Sequence, residues 1–221
     1  MEGLAYRRAT MASLISVNPH YPEPYLIGQA AEVIRKGGMA VIPTDTVYAI
    51  VCSVERPKGA QALYRLKGPA GTAAGKPLSV LFRDLSTVSE YTRGIPNIAY
   101  KVMKRVLPGP YTVILSASKR LPSAALQGRK TIGVRMPANE VTQALLDALG
   151  QPLLSTSIYH HEGDDPMDDP IEISTRFGPE VDLVLDAGPI LPEPSTVLDL
   201  SEGEVVVLRE GKGSLEPITG R

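Results

Sequence analysis

The chain has 221 residues, 43% of them hydrophobic and 21% charged, which is enough apolar material for one ordinary globular domain. Its net charge of −1 supplies no overall pull toward nucleic acid or a membrane surface, so any RNA contact has to come from a local basic cleft. One cysteine excludes an intramolecular disulfide and a multi-cysteine metal site, and the absence of Trp leaves the core to Val, Ile, Leu and Ala.

Residues 1–24, punctuated by Pro19, Pro22 and Pro24, read as an irregular N-terminal segment ahead of a domain spanning 25–217. No run reaches the ~18 apolar residues of a membrane span, and the N-terminus lacks a charged-then-apolar signal pattern, so the expectation is a soluble cytoplasmic protein with no membrane partner. Apolar residues recur at helical spacing from Tyr25 to Lys36, and Gly37-Gly38 close that helix. The apolar run Met39 to Ile42 stops at Pro43, where Thr44, Asp45, Thr46 and Tyr48 follow at once. Ligands bind at the strand ends of open α/β sheets, and buried hydroxyls without partners cost about 1–3 kcal/mol each. A threonine-rich turn that satisfies its own backbone is the alternative reading of the same residues. The run 48–54 continues as an extended segment, with Cys52 read as a buried structural thiol.

Lys58 to Leu66 reads as a short helix, and the loop from Gly68 to Gly75 leads into a strand over 76–82. Residues 84–91 read as a helix capped by Asp84 or Ser86, and 95–107 as a second one stopped at Pro108-Gly109-Pro110. Strands follow at 111–118 and 131–137, then a helix from Asn139 to Leu149 and a buried strand over 152–158. An acidic loop (162–170), a helix from Ile171 to Phe177 and strands at 181–188, 195–200 and 204–211 complete the chain. Several strands follow one another through short turns, so one α/β domain with a mixed sheet is expected.

Polar clusters recur at strand ends: Thr44, Thr46 and Tyr48; Lys67; Arg135; Ser155, Thr156 and Ser157; Ser195 and Thr196 with Arg209. Alternation puts Ile132, Val134 and Met136 on one face and Gly133 with Arg135 on the other, where the glycine is expected to leave room for a ligand. Arg135 therefore points either to solvent or into a cleft facing an anion. Hydroxyls with a lysine and arginines suit a carboxylate or phosphate, because each oxygen gains donors and the cations neutralise charge. The loop ending at Lys76 lacks the Gly-Lys-Ser/Thr ending of a phosphate loop. His160 and His161, followed by Asp164, Asp165, Asp168 and Asp169, read as a solvated acidic loop, and no metal site is expected.

In this order the segments resemble the YrdC-like family of threonylcarbamoyl-adenylate synthases. The likeness runs from about Tyr25 to about Pro217 and rests on Pro43 to Tyr48, KPLSVL, LPGPYTVIL, TIGVRMP, PLLSTS, PSTVLDL and LREG. It implies a twisted, open, mixed α/β sheet of the YrdC/RibB kind around a positively lined cavity. It also implies condensation of L-threonine, bicarbonate and ATP, accompanied by Mg2+, into threonylcarbamoyl-AMP for tRNA modification. By that resemblance Thr46 contacts threonine beside Thr44 and Tyr48, and Arg135 holds its carboxylate near Ser195. Lys67 neutralises ATP phosphate, while Ser155, Ser157 and Arg209 face the nucleotide. With no general base in view, Lys67 and Arg135 would act by positioning and charge.

Two departures stand out. The family's Lys-x-Arg is here Lys67-Gly68-Pro69, and its Ser-x-Asn is Ser157-Ile158-Tyr159. Both make the chain look most like the YciO branch. A second reading is a double-stranded RNA or tRNA binder without synthase activity, and a third is a nucleotide- or metabolite-binding protein with another acceptor.

Overall fold

The structure, a computed structural model, describes residues 11–66, 77–159 and 166–219. The expected site residue Lys67, the loop that runs on to Lys76 and the pair His160-His161 with Asp164 and Asp165 lie outside the described residues.

Ten strands form one sheet among the described residues. They are β1 (Ser13–Ser16), β2 (Ala40–Ile42), β3 (Ala49–Ser53), β4 (Ser79–Leu81), β5 (Tyr111–Ser116), β6 (Thr131–Arg135), β7 (Leu153–Ser157), β8 (Leu183–Asp186), β9 (Thr196–Asp199) and β10 (Val206–Arg209). Their order is β1-β8-β2-β3-β7-β4-β6-β5-β9-β10, with β1, β2 and β8 mutually parallel where they pair, β4–β6 and β5–β9 parallel, and the other pairs antiparallel. This is the open mixed α/β sheet that the interleaved pattern predicts. No helix of the described residues is long and apolar enough to cross a membrane.

The helices are α1 (Pro24–Arg35), α2 (Pro57–Leu66), α3 (Leu85–Tyr91), α4 (Asn97–Val106), α5 (Ser123–Leu126), α6 (Glu140–Leu149), α7 (Pro170–Phe177) and α8 (Glu216–Thr219). Asp84, rather than Ser86, caps α3 by accepting from the Thr87 amide, and Asn139 caps α6 by accepting from the Thr142 amide. Strand β1 and the one-turn helices α5 and α8 have no counterpart in the sequence reading. Ser13–Ser16 is four residues long and mostly exposed, so its place comes from backbone pairing with Leu183–Asp186 and not from an apolar pattern.

Residues opposite one another in the ladder share a face, so register divides the side chains into two layers. On one face Val41, Ile50, Cys52, Leu154, Val80, Val134, Ile132, Val113 and Leu198 join the larger apolar cluster. On the other, Ala40, Ile42, Ala49, Val51, Leu153, Leu81, Leu183 and Leu185 pack beneath Ile27, Ala30, Ala31 and Ile34 of α1 and Val141, Leu145 and Leu149 of α6. Beyond Leu153 and Leu81 that second face changes character. Ser155, Ser157, Ser79, Gly133, Arg135, Thr112 and Ile114 continue it, and Ser79, Ile114, Ser157 and Val197 are only half-buried although β4, β5 and β7 lie inside the sheet. Among the described residues Ile114 and Val197 belong to neither apolar cluster. Solvent therefore reaches the middle of the sheet on one face, which makes that face the floor of a cavity.

Candidate functional site

Arg135 ends β6 on this floor. It is 5% exposed, yet it stands at the edge of the solvent-reached region. One guanidinium nitrogen, Nη2, donates to Asp45 Oδ1 at 2.8 Å and to Thr46 Oγ1 at 2.8 Å. Asp45 is equally enclosed, and its second carboxylate oxygen accepts from the Ala138 amide at 3.0 Å. Burial pushes the Arg135 pKa down and nearby Arg209 adds to that, while Asp45 and Tyr159 oppose them. The guanidinium Nε is buried and has no hydrogen-bond partner among the described residues. An orphaned buried donor costs about 1–3 kcal/mol, so this one awaits an acceptor.

The turn that carries Asp45 and Thr46 is built by Thr44. Its hydroxyl donates to the Val47 carbonyl at 2.6 Å and accepts from the amides of Thr46 and Val47 at 3.1 and 3.2 Å. The Thr142 hydroxyl in α6 donates to the Pro43 carbonyl at 2.5 Å and fixes the strand end from the helical side. Tyr48 points to the opposite face. Its phenol donates to the Gly188 carbonyl at 2.8 Å and accepts from the Ala187 amide at 3.1 Å, and burial pushes its pKa up to about 12. Thr44 and Tyr48, expected to touch a ligand, are instead engaged in the protein's own backbone. For Thr44 these are the bonds that the turn reading describes. Thr46 keeps the expected place beside Arg135.

Ser195 follows in the segment that adjoins this turn, where the Glu193 amide donates to the Thr46 carbonyl at 3.3 Å. The Ser195 hydroxyl shares a 2.8 Å hydrogen bond with Thr112 Oγ1, and Arg209 Nε and Nη2 donate to the Ser195 carbonyl at 3.1 and 2.8 Å. Arg209 reaches the cavity face through a bulge: Val207 opposes Leu198, but Arg209, not Leu208, opposes Val197. The extra residue turns the arginine inward and leaves Leu208 exposed. Ser155 and Ser157 sit on the floor as alternation requires, with Ser155 Oγ donating to the Ser79 carbonyl at 3.3 Å. Thr156 points to the packed face, where its hydroxyl is buried without a hydrogen-bond partner among the described residues.

Gly133 does not leave an empty space. A Cβ there would lie 2.9 Å from Ser79 Oγ and 3.1 Å from Thr112 Cγ2, so the glycine lets two flanking side chains close over the strand. The site thus brings together Thr46, Arg135, Ser155, Ser157, Ser195 and Arg209 on one open face. Ser79, Thr112 and Lys212 are additional members that spacing within a single segment could not reveal, and Asp45, already legible in the turn after Pro43, joins them as the partner of Arg135. Lys212 Nζ donates to the Asp45 carbonyl at 2.5 Å from 167 residues away in the chain. Cations and hydroxyl donors dominate this set, so it suits a small anionic ligand.

A family model, Sua5/YciO/YrdC, described as telomere recombination, matches residues 32–211. The chain is 40% identical over 208 residues to the uncharacterized protein YciO of Escherichia coli K12, covering 94% of this chain and 99% of that protein. The crystal structure of E. coli YciO superposes with a TM-score of 0.86 over the same shares of the two chains. A threonylcarbamoyl-AMP synthase of Thiobacillus denitrificans is 31% identical over 173 residues, 78% of this chain and 90% of the synthase. Sua5 of Pyrococcus abyssi, crystallised in complex with L-threonine, is 29% identical, with a TM-score of 0.85 over 94% of this chain and 60% of its own.

Proposed function

The chain belongs to the Sua5/YciO/YrdC family, and on that premise we propose that it condenses L-threonine, bicarbonate and ATP into threonylcarbamoyl-AMP, pyrophosphate and water. The product would feed threonylcarbamoyl modification of tRNA. The observation that carries this reading is the buried Arg135, with its unpartnered Nε, beside Thr46 at the edge of an open polar floor. In this reading the threonine carboxylate takes the orphaned guanidinium donor and the free proton of the Thr112–Ser195 hydroxyl pair, with Thr46, whose own proton goes to Thr44, in contact beside it. The nucleotide lies along Ser155, Ser157 and Arg209, and by the family resemblance Lys67 would neutralise its phosphates. Magnesium enters as part of the substrate, Mg-ATP, since hydroxyls and cations in the floor favour anions.

The chemistry joins threonine nitrogen to the carbon of bicarbonate. The resulting carbamate oxygen displaces pyrophosphate from the α-phosphorus of ATP. Holding three small reactants together and neutralising the leaving group are what these residues offer, so catalysis is by position and charge. The missing arginine of Lys-x-Arg and asparagine of Ser-x-Asn remove donors from the phosphate side, and slow turnover is the expected consequence. A buried central guanidinium suits a small carboxylate better than the phosphate backbone of an RNA duplex.

The test is pyrophosphate release from ATP and bicarbonate with and without L-threonine. Release that needs threonine and disappears in Arg135→Ala supports the proposal. Release no greater than in buffer alone refutes it.

A further inference from the structure

We propose that Lys212 is the phosphate-binding cation at the mouth of the cavity, releasing the Asp45 carbonyl to take the triphosphate of ATP. The inference rests on the reading of this cavity as a nucleotide and threonine site.

Lys212 is held on a rigid support. Its own amide donates to the Pro194 carbonyl at 2.9 Å, and the preceding Gly211 amide donates to Thr196 Oγ1 at 2.9 Å. The flanking glycines admit no side chain: a Cβ on Gly211 would collide with the Pro194 carbonyl, and one on Gly213 with the Tyr111 ring. The backbone at 211–213 is therefore pressed against the segment that carries Ser195, and the one long side chain it bears reaches over to Asp45.

The partner found there is a weak one for a cation. Lys212 Nζ touches a neutral carbonyl, whereas the Asp45 carboxylate is already bonded to Arg135 and to the Ala138 amide. An ammonium has three donors and carries a full charge, so a carbonyl leaves most of its capacity open. Because Asp45 is bonded through its side chain to Arg135 and through its carbonyl to Lys212, the two cations flank a single residue. Arg135 is enclosed and reachable only by a small group, while Lys212 is exposed. A compact carboxylate fits the inner cation, with its fixed fork of donors. A bulky, multiply charged phosphate chain fits the outer one, a mobile point charge.

Calorimetry with Mg-ATP, pyrophosphate and L-threonine on the full chain tests this, using Lys212→Gln and Lys212→Arg. Glutamine can still donate to the Asp45 carbonyl but carries no charge, so it separates neutralisation from mere anchoring. We expect Lys212→Gln to weaken ATP and pyrophosphate about tenfold, to flatten the salt dependence of ATP binding, and to leave threonine affinity unchanged. Lys212→Arg should stay close to the original protein. ATP affinity untouched in Lys212→Gln overturns the proposal, as does a parallel loss of threonine affinity, which would make Lys212 a structural tie. An unsubstituted protein that binds threonine but no ATP removes the nucleotide half of the functional reading and this proposal with it. Failure to bind either ligand removes the functional reading as a whole.

Discussion

On one face of the sheet, β8, β2 and β3 carry Leu183, Leu185, Ala40, Ile42, Ala49 and Val51, whereas β4, β6 and β5 carry Ser79, Gly133, Arg135 and Thr112. The first half lies under α1 and α6, and the second is open. The change falls along one line, because β4 and β7 are antiparallel neighbours. Leu81 opposes Leu153 in the covered half, and two residues along Ser79 opposes Ser155 in the open one. Two short strands thus serve a core and a cavity with the same side of their backbone. Arg135, paired with Leu81, stands on the boundary, which is why it is both buried and able to serve the open side.

Breaking the boundary should have the largest effect. Arg135→Ala leaves the Asp45 carboxylate enclosed without its partner, at a cost of about 3–5 kcal/mol of stability, and abolishes threonine binding. Chemical denaturation with calorimetry on the same samples checks both. Pairing the change with Asp45→Asn should restore much of the stability and none of the binding, which separates the fold's need for the pair from the ligand's. Leu145→Ala tests the covered half: about 2–5 kcal/mol of stability should be lost with threonine affinity unchanged in the folded protein. Ser157→Ala tests the open half in the opposite sense. Its stability should move by less than about 0.5 kcal/mol while ATP affinity falls severalfold.

Gly133→Ala sharpens the comparison within the floor. The new methyl meets Ser79 Oγ and Thr112 Cγ2, and Thr112 cannot move without disturbing its bond to Ser195. A loss of about 1–3 kcal/mol is expected together with weaker threonine binding. Unchanged affinity would detach the Thr112–Ser195 pair from the ligand shell.

Period-two alternation is enough to put Gly133 and Arg135 on one face and Ile132, Val134 and Met136 on the other. The strand-to-turn junction at Pro43 is legible too, since an apolar run cut off by hydroxyls and a carboxylate is a local signal. What stayed hidden depends on contacts between distant segments. The partner of Arg135 lies 90 residues earlier in the chain, and nothing within either segment announces the pairing. Arg209 reaches the floor through a bulge, and strict alternation from Val207 would put Leu208 there instead. Tyr48 read as a ligand group because a phenol beside two threonines looks functional. Its true partners, at 187 and 188, were visible only once β2 and β8 were side by side.

Tyr48 provides an effect that pH isolates. Its phenol is buried in the larger apolar cluster on the opposite face, and folding raises its pKa from 10.0 to about 12. The neutral form is the one the fold accommodates, so its contribution is fully present below pH 10 and is lost as pH rises from there toward 12. Tyr48→Phe removes that titration, along with the bonds to Gly188 and Ala187, at a cost of about 1 kcal/mol at neutral pH. Melting curves of the two proteins should therefore lie apart at pH 8, with Tyr48→Phe the lower, and meet and then change order between pH 10 and 12, because only the phenol has a proton to lose and two pK units outweigh the lost bonds. Tyr64 and Tyr111, whose pKa values are also raised by burial, remain in both proteins, so the difference between the curves reports Tyr48. Curves that stay equally separated to pH 12 would mean that the phenolate is tolerated at this position, and that the loop at 187–188 yields to let water in.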